Sequence, residues 1–399
     1  MTLSSEADEG DNVFPSDSLT EETTAVKHLN SSIETPTSLS LMSLPTLPFE
    51  IVVEILSRLP VKFLLQLQCV CKSWKSLISD PKFAKKHLRH ASQSLILTLN
   101  NPDFVLIANP IASVFTQVTT ITTIQLEYPV KKQNHSAFIV GSCHGILCFA
   151  FSKDVGLAFL WNPSIRKFTI LPSLEWGYLT SYFFSFGYDD FSDTYKVVAV
   201  CYEPIFIDGV FSHCENLVKV HTLGTTSWTR IQDFPHNTLI REESGKFASG
   251  AINWLTYMHT RSSWVILSLD LEKEFYRDLP QPDYGGVNVV SFNLEVLREC
   301  LCIFSHTETY TDVWLMKEYG NKDSWTKLFR LPFTRIIIDS LHVSALYVSH
   351  DDQVLFGVQR EDLIVYNSRD GTFKDPIIQN IEKWMDLEVY HESLISPCF

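Results

Sequence analysis

The sequence predicts an α+β multidomain chain: a small three-helix unit followed by an all-β, propeller-like domain. Three observations carry that reading. Between Leu47 and Leu88 the apolar residues repeat at helical spacing. From about Leu95 onward the period changes, and short β-branched and aromatic runs alternate with turn residues. Within that second region, five segments close on an aromatic residue followed by a proline or an apolar pair.

The helical unit comes first. Pro48 suits a first helical position and Glu50 the first turn, where the helix dipole favours a carboxylate. Ile51, Ile55 and Leu59 recur at i, i+4 and i+8, with Val52 and Leu56 filling the adjacent stripe. Pro60 stops this helix. Val61, Leu64, Leu65 and Leu67 form a second apolar surface, Val70, Trp74, Leu77 and Ile78 a third, and Asp80-Pro81 closes the unit. About forty residues bury too little surface to be self-sufficient, so surplus apolar surface here is expected to meet another protein.

The β region is read as repeats. The five modules run Phe159–Pro172, Val220–Pro235, Ile266–Pro280, Val313–Pro332 and Ile364–Pro376, each as strand, polar turn, strand. Most are preceded by a further apolar run, such as Gly145–Phe149 or Cys300–Phe304. The closing positions recur at roughly 45 to 65 residues, the range of propeller blades. Residues from Leu95 to about Val130 are expected to supply a further blade, completed by the C-terminal strand, giving six blades or seven. The expected organisation is an acidic, Ser/Thr-rich disordered tail over 1–43, the helical unit over 44–90 and the propeller over 91–399.

Composition narrows the function. The 399 residues carry a formal charge of −14, against the basic surface a nucleic-acid binder needs. Half of that charge lies in residues 1–43, where eight Asp or Glu face a single Lys27. No stretch approaches the ~18 consecutive apolar residues of a membrane span. The N-terminus lacks a basic start followed by an apolar run, and the nine scattered cysteines form no C-x-x-C pair. Buried, reduced thiols in a cytoplasmic or nuclear protein are expected.

The helical segment resembles the F-box. The matching positions are Leu47-Pro48, Ile55-Leu56, Leu59-Pro60-Val61, Leu64-Leu65, Cys69-Val70-Cys71-Lys72, Trp74, Leu77-Ile78, Pro81, Phe83 and His87-Leu88. Many plant members place basic residues where this chain has Gln66 and Gln68. The resemblance implies docking on a Skp-type adaptor, and through it on a cullin and a RING subunit. Carried over by position, the adaptor-binding residues are Leu47, Pro48, Ile51, Ile55, Leu56, Leu59, Pro60, Val61, Leu64, Val70 and Trp74. The later region resembles the F-box-associated domain of plant F-box/kelch-repeat proteins. The carriers are Gly141–Cys148, Trp161-Asn162-Pro163-Ser164, Phe186-Gly187-Tyr188-Asp189 with Tyr195–Val198, and Glu392-Ser393-Leu394. The paired glycines of true kelch blades are missing. In related proteins this domain captures the protein to be ubiquitinated.

Catalytic groupings are thin. Cys143-His144 with Cys148 falls on an expected strand, without the fourth ligand of a structural zinc site. Asp189, Asp190 and Asp193 cluster in a turn but lack the glycine and terminal glutamate of an EF-hand loop. No phosphate loop, dinucleotide fingerprint or nucleophile elbow occurs, and no polar cluster can be assembled for the channel of a propeller enzyme. The expected tryptophan role is packing between blades, with Trp176 the candidate for substrate contact because it falls in a loop. No cofactor and no metal are expected. The function expected is a non-catalytic substrate receptor of an SCF-type (Skp–cullin–F-box) ubiquitin ligase. The alternative is an adaptor-bound scaffold or ligand sensor without ubiquitin transfer.

Overall fold

The computed structural model describes residues 47–100, 104–116, 124–127, 137–151, 156–174, 181–207, 210–235, 239–240, 244–258, 262–332, 343–358, 362–376, 378 and 386–398. The acidic tail, Trp176 and Trp384 lie outside the described residues.

Four helices open the described chain, one more than the spacing predicts: α1 (Phe49–Leu56), α2 (Val61–Leu67), α3 (Lys72–Ile78) and α4 (Pro81–Leu88). The extra helix begins where the unit was expected to end. Asp80 is its N-cap, accepting from the Lys82 amide at 2.8 Å, and Pro81 occupies the first helical position, where its missing N–H is harmless. Pro48 and Pro60 are likewise N-caps, just outside their helices. Leu56, Leu64, Ile78 and Phe83 form the helical core, with Leu59 and Trp74 packed against it.

Six antiparallel sheets follow. Blade 1 holds β1 (Gln93–Asn100), β2 (Phe104–Pro110) and β3 (Ile124–Leu126), with α5 (Ile111–Phe115) between the last two. Blade 2 is β4 (Ala137–Cys143), β5 (Ile146–Phe151), β6 (Ala158–Asn162) and β7 (Lys167–Ile170). Blade 3 is β8 (Ser181–Asp189), β9 (Thr194–Ile207), β10 (Val210–Thr222) and β11 (Thr229–Arg230). In blade 4 the first strand comes in two pieces, β12 (Leu239–Ile240) and β13 (Lys246–Ala248). Both pair with β14 (Ala251–Met258), and β15 (Ser263–Asp270) and β16 (Phe275–Leu279) follow. Blade 5 is β17 (Ser291–Leu297), β18 (Cys300–His306), β19 (Tyr310–Met316) and β20 (Trp325–Pro332). Blade 6 is β21 (Val343–Val348), β22 (Gln353–Val358), β23 (Asp362–Asn367) and β24 (Phe373–Lys374).

The last strand, β25 (Leu387–His391), returns to blade 1 and pairs with β1, Gln93 opposite His391 and Leu97 opposite Leu387. That pairing closes the ring at six blades and gives β1 the second partner it would otherwise lack.

Each blade buries both faces, and alternation along a strand divides its side chains between two neighbours. Leu95 and Leu97 join the cluster shared with blade 6, while Ile96 joins the one shared with blade 2. One apolar cluster lies between each pair of adjacent blades. This is why the middle strands read as unbroken apolar runs; β5, Ile-Leu-Cys-Phe-Ala-Phe, is buried throughout. The recurring aromatic and proline have a partner-specific cause. Trp228 of blade 3 donates its Nε1–H to the carbonyl of Pro172, which closes blade 2, at 2.7 Å. Trp325 of blade 5 does the same to Pro280 of blade 4 at 2.9 Å.

Candidate functional site

The eleven residues carried over as adaptor-binding divide by burial. Leu47, Pro48, Ile51, Ile55, Pro60 and Val70 are exposed, Leu59 and Trp74 are partly covered by the helical core, and Leu56, Val61 and Leu64 are buried. The difference is large: Val70 is 62% exposed and Ile55 48%, while Leu64 is 0%. A side chain with no accessible surface holds the unit together and cannot itself touch a partner. Two further large apolar residues are open to solvent, Phe49 on α1 and Phe63 on α2. Both fall outside the matched F-box positions, so only their apolar character could have flagged them. Single exposed apolar residues are ordinary, but this many on one short helical unit make it the candidate docking surface.

Ion pairs hold these helices in register. Glu54 on α1 receives Arg58 at 2.7 Å and Lys86 of α4 at 2.9 Å. The Lys86 ammonium, then the Arg58 guanidinium, hold the Glu54 carboxyl down at about 2. The next residue of α4, buried His87, contacts the Leu59 carbonyl through Nε2 at 2.8 Å, tying α4 to the chain that follows α1. Burial pushes the His87 pKa below its ordinary value.

A concavity lies along the axis of the ring. Strands β4, β8, β13, β17, β21 and β25 contribute its wall, around a cavity of about 860 Å3. The wall mixes apolar side chains such as Phe138, Phe247 and Val343 with polar groups, and the latter correct the expectation that no such cluster could be assembled. Lys246 pairs with Glu295 at 2.8 Å, and Ser142 Oγ lies 2.8 Å from Glu388 Oε1 and 2.9 Å from the Val389 carbonyl. Removal from bulk water pushes the Glu388 carboxyl up to about 7 against the opposing pull of Ser142 and Lys246. These residues come from four blades, with Ser142 and Glu388 246 positions apart in the chain.

The groupings that suggested chemistry are built into the scaffold. Cys143 ends β4 and Cys148 lies in β5, with His144-Gly145 forming the hairpin turn between them rather than continuing one strand. His144 and Gly145 both take positive φ, 51° and 80°, the twist a two-residue hairpin demands. Burial pushes both thiols far above the ordinary cysteine range. Asp189 caps the amides of Phe191 and Ser192 and pairs with buried Lys196 at 3.2 Å. Asp193 meets Lys85 and Tyr188. Among the described residues no three His, Cys, Asp or Glu are grouped so as to hold a metal ion. The expectation of buried cysteines fails at Cys69, Cys71 and Cys398, which are exposed. The first two sit in the turn between α2 and α3, where the chain has no second layer to cover it. No described helix is long and apolar enough to cross a membrane.

Comparison with known proteins follows the same division. Residues 44–86 match the F-box domain and residues 94–390 the F-box associated beta propeller domain. An F-box/kelch-repeat protein of Arabidopsis thaliana is 30% identical, over 90% of this chain and 98% of its own length. Two other Arabidopsis thaliana F-box proteins, one of them F-box protein CPR1, are 24% and 26% identical, each over 88% of this chain and about nine-tenths of their own lengths. The chain belongs to the family of F-box proteins that carry an F-box-associated β-propeller domain.

Proposed function

We propose that this protein is the substrate-recognition subunit of an SCF-type ubiquitin ligase. Its F-box docks on a Skp-type adaptor and so joins a cullin and a RING subunit. The propeller holds a target protein, promoting its ubiquitination and degradation. The observation that carries the reading is the set of large apolar side chains left open on the F-box, Leu47, Phe49, Ile51, Ile55, Phe63 and Val70. The receptor's contribution is positional. Holding a target lysine near the ubiquitin thioester raises its effective concentration, and the bond-making groups belong to other subunits.

The test is co-purification with a Skp-type adaptor. Ile55→Asp combined with Val70→Asp places two charges on exposed positions, and each desolvated charge costs several kcal/mol on docking. Capture should fall at least a hundredfold while the melting temperature stays within about one degree. Undiminished capture by the folded double variant refutes the docking surface.

A further inference from the structure

Residues Glu392 to Cys398 follow the ring-sealing strand and touch three separate parts of the molecule. At the junction of α4 and β1, the Ser92 carbonyl accepts from the Glu392 amide at 2.9 Å. Blade 2 grips the next residues through Asn162, itself fully buried. Its Nδ2 reaches the Ser393 carbonyl and Oγ, both at 3.0 Å, and the Ile395 carbonyl at 2.8 Å. Thr169 donates to the Pro397 carbonyl at 2.8 Å. The intervening side chains go to different places. Ile395 packs on the cluster between blades 2 and 3, and Leu394 packs on the F-box core of Leu56, Leu64, Ile78 and Phe83. Gly145 makes room for this path, since a Cβ there would stand 2.4 Å from both the His391 carbonyl and Ser393 Oγ. A second tie lies nearby, where Lys85 of α4 meets Asp193 and Tyr188 of blade 3.

We infer that residues 392–398 are a strap that fixes the F-box to the propeller, so that the order of α1–α4 depends on a segment some three hundred positions away in the chain. Half-buried Leu394 covers part of the F-box core, and Asn162 holds the backbone on either side of it. The strap bears on adaptor capture through the reading proposed above, but its effect on the helices stands without that reading.

Hydrogen exchange of the full chain separates the two. Leu394→Ala and Asn162→Ala should each raise exchange across α1–α4 at least tenfold, while the amides of β14, β15, β18 and β19 keep their protection. Leu394→Met should restore the original rates, because it refills the same apolar space. Adaptor capture, measured in parallel, should fall with Leu394→Ala and return with Leu394→Met. Unchanged exchange in α1–α4 for both alanine variants overturns the strap. So does a loss of protection that is equal in the helices and in the four reference strands. Absent adaptor capture by the unaltered chain refutes the receptor reading alone, and the exchange result still decides the strap.

Discussion

Glu388→Gln tests how the channel wall is built. The carboxyl is carried from its ordinary 4.5 to about 7, chiefly because the channel wall holds it away from bulk water, although part of it still faces the cavity. Below pH 4.5 the folded and unfolded chains are both protonated, and the group costs nothing. Between 4.5 and 7 the unfolded chain ionises while the folded one keeps its proton, so stability drains away as the pH rises. Above 7 the loss levels off, at a ceiling of about 3 kcal/mol. Gln is isosteric and uncharged, and its amide can still donate to Ser142 Oγ, which passes its single proton to the Val389 carbonyl. Melting temperatures of the two proteins, measured from pH 4 to 8, should coincide near pH 4.5. The variant should then gain several degrees by pH 8. A gap that is constant with pH, or one that widens toward acid, would refute the argument that burial dominates this carboxyl.

Four other outcomes follow from the packing. Leu64→Ala empties a fully buried site in the helical core and should cost about 2–5 kcal/mol, read as exchange or proteolysis of α1–α4. Ile51→Ala, at an exposed position in the first turn of α1, should leave that readout unchanged. Lys196→Met strips the countercharge from buried Asp189 and should cost about 3–5 kcal/mol in denaturant unfolding; equal stability would mean that the Ser192 and amide donors suffice alone. Gly145→Ala combines a positive φ with a 2.4 Å collision, and should lower the melting temperature more than Gly371→Ala, where φ is also positive but the space is open.

Much of this architecture was legible because its causes are local. The i, i+4 stripe of α1 and the proline after Leu59 announce a short helix from sequence alone. The aromatic-then-proline rhythm announces blades because Trp228 and Trp325 each need the preceding blade's proline carbonyl, so the spacing of the two is the spacing of the repeat. The fourth helix was hidden by an ambiguity in the code. Asp-Pro ends one helix and starts another equally well, and only the cap geometry at Asp80 decides. Cys143 to Cys148 read as one strand because the apolar run outweighed a single glycine, whose positive φ in fact makes the turn.

The candidate site was legible only in part. Position-by-position resemblance names residues without ranking them by exposure, so Leu64 and Ile55 looked alike although one is sealed and the other open. The channel was invisible for a different reason. Its polar groups converge from strands far apart in the chain, and no local pattern in 399 residues brings Ser142 to Glu388.

The order in which the sheets are completed has a consequence for biosynthesis. Blades 2 to 6 can each finish as their own hairpins emerge, but blade 1 waits for β25, which follows every other strand in the sequence. Until then β1 presents a bare row of amides and carbonyls beside Leu95 and Leu97, the kind of template on which nascent chains stick to one another. A message broken between codons 374 and 387 therefore yields a product with five sheets finished and one adhesive, which chaperones and proteases are equipped to remove.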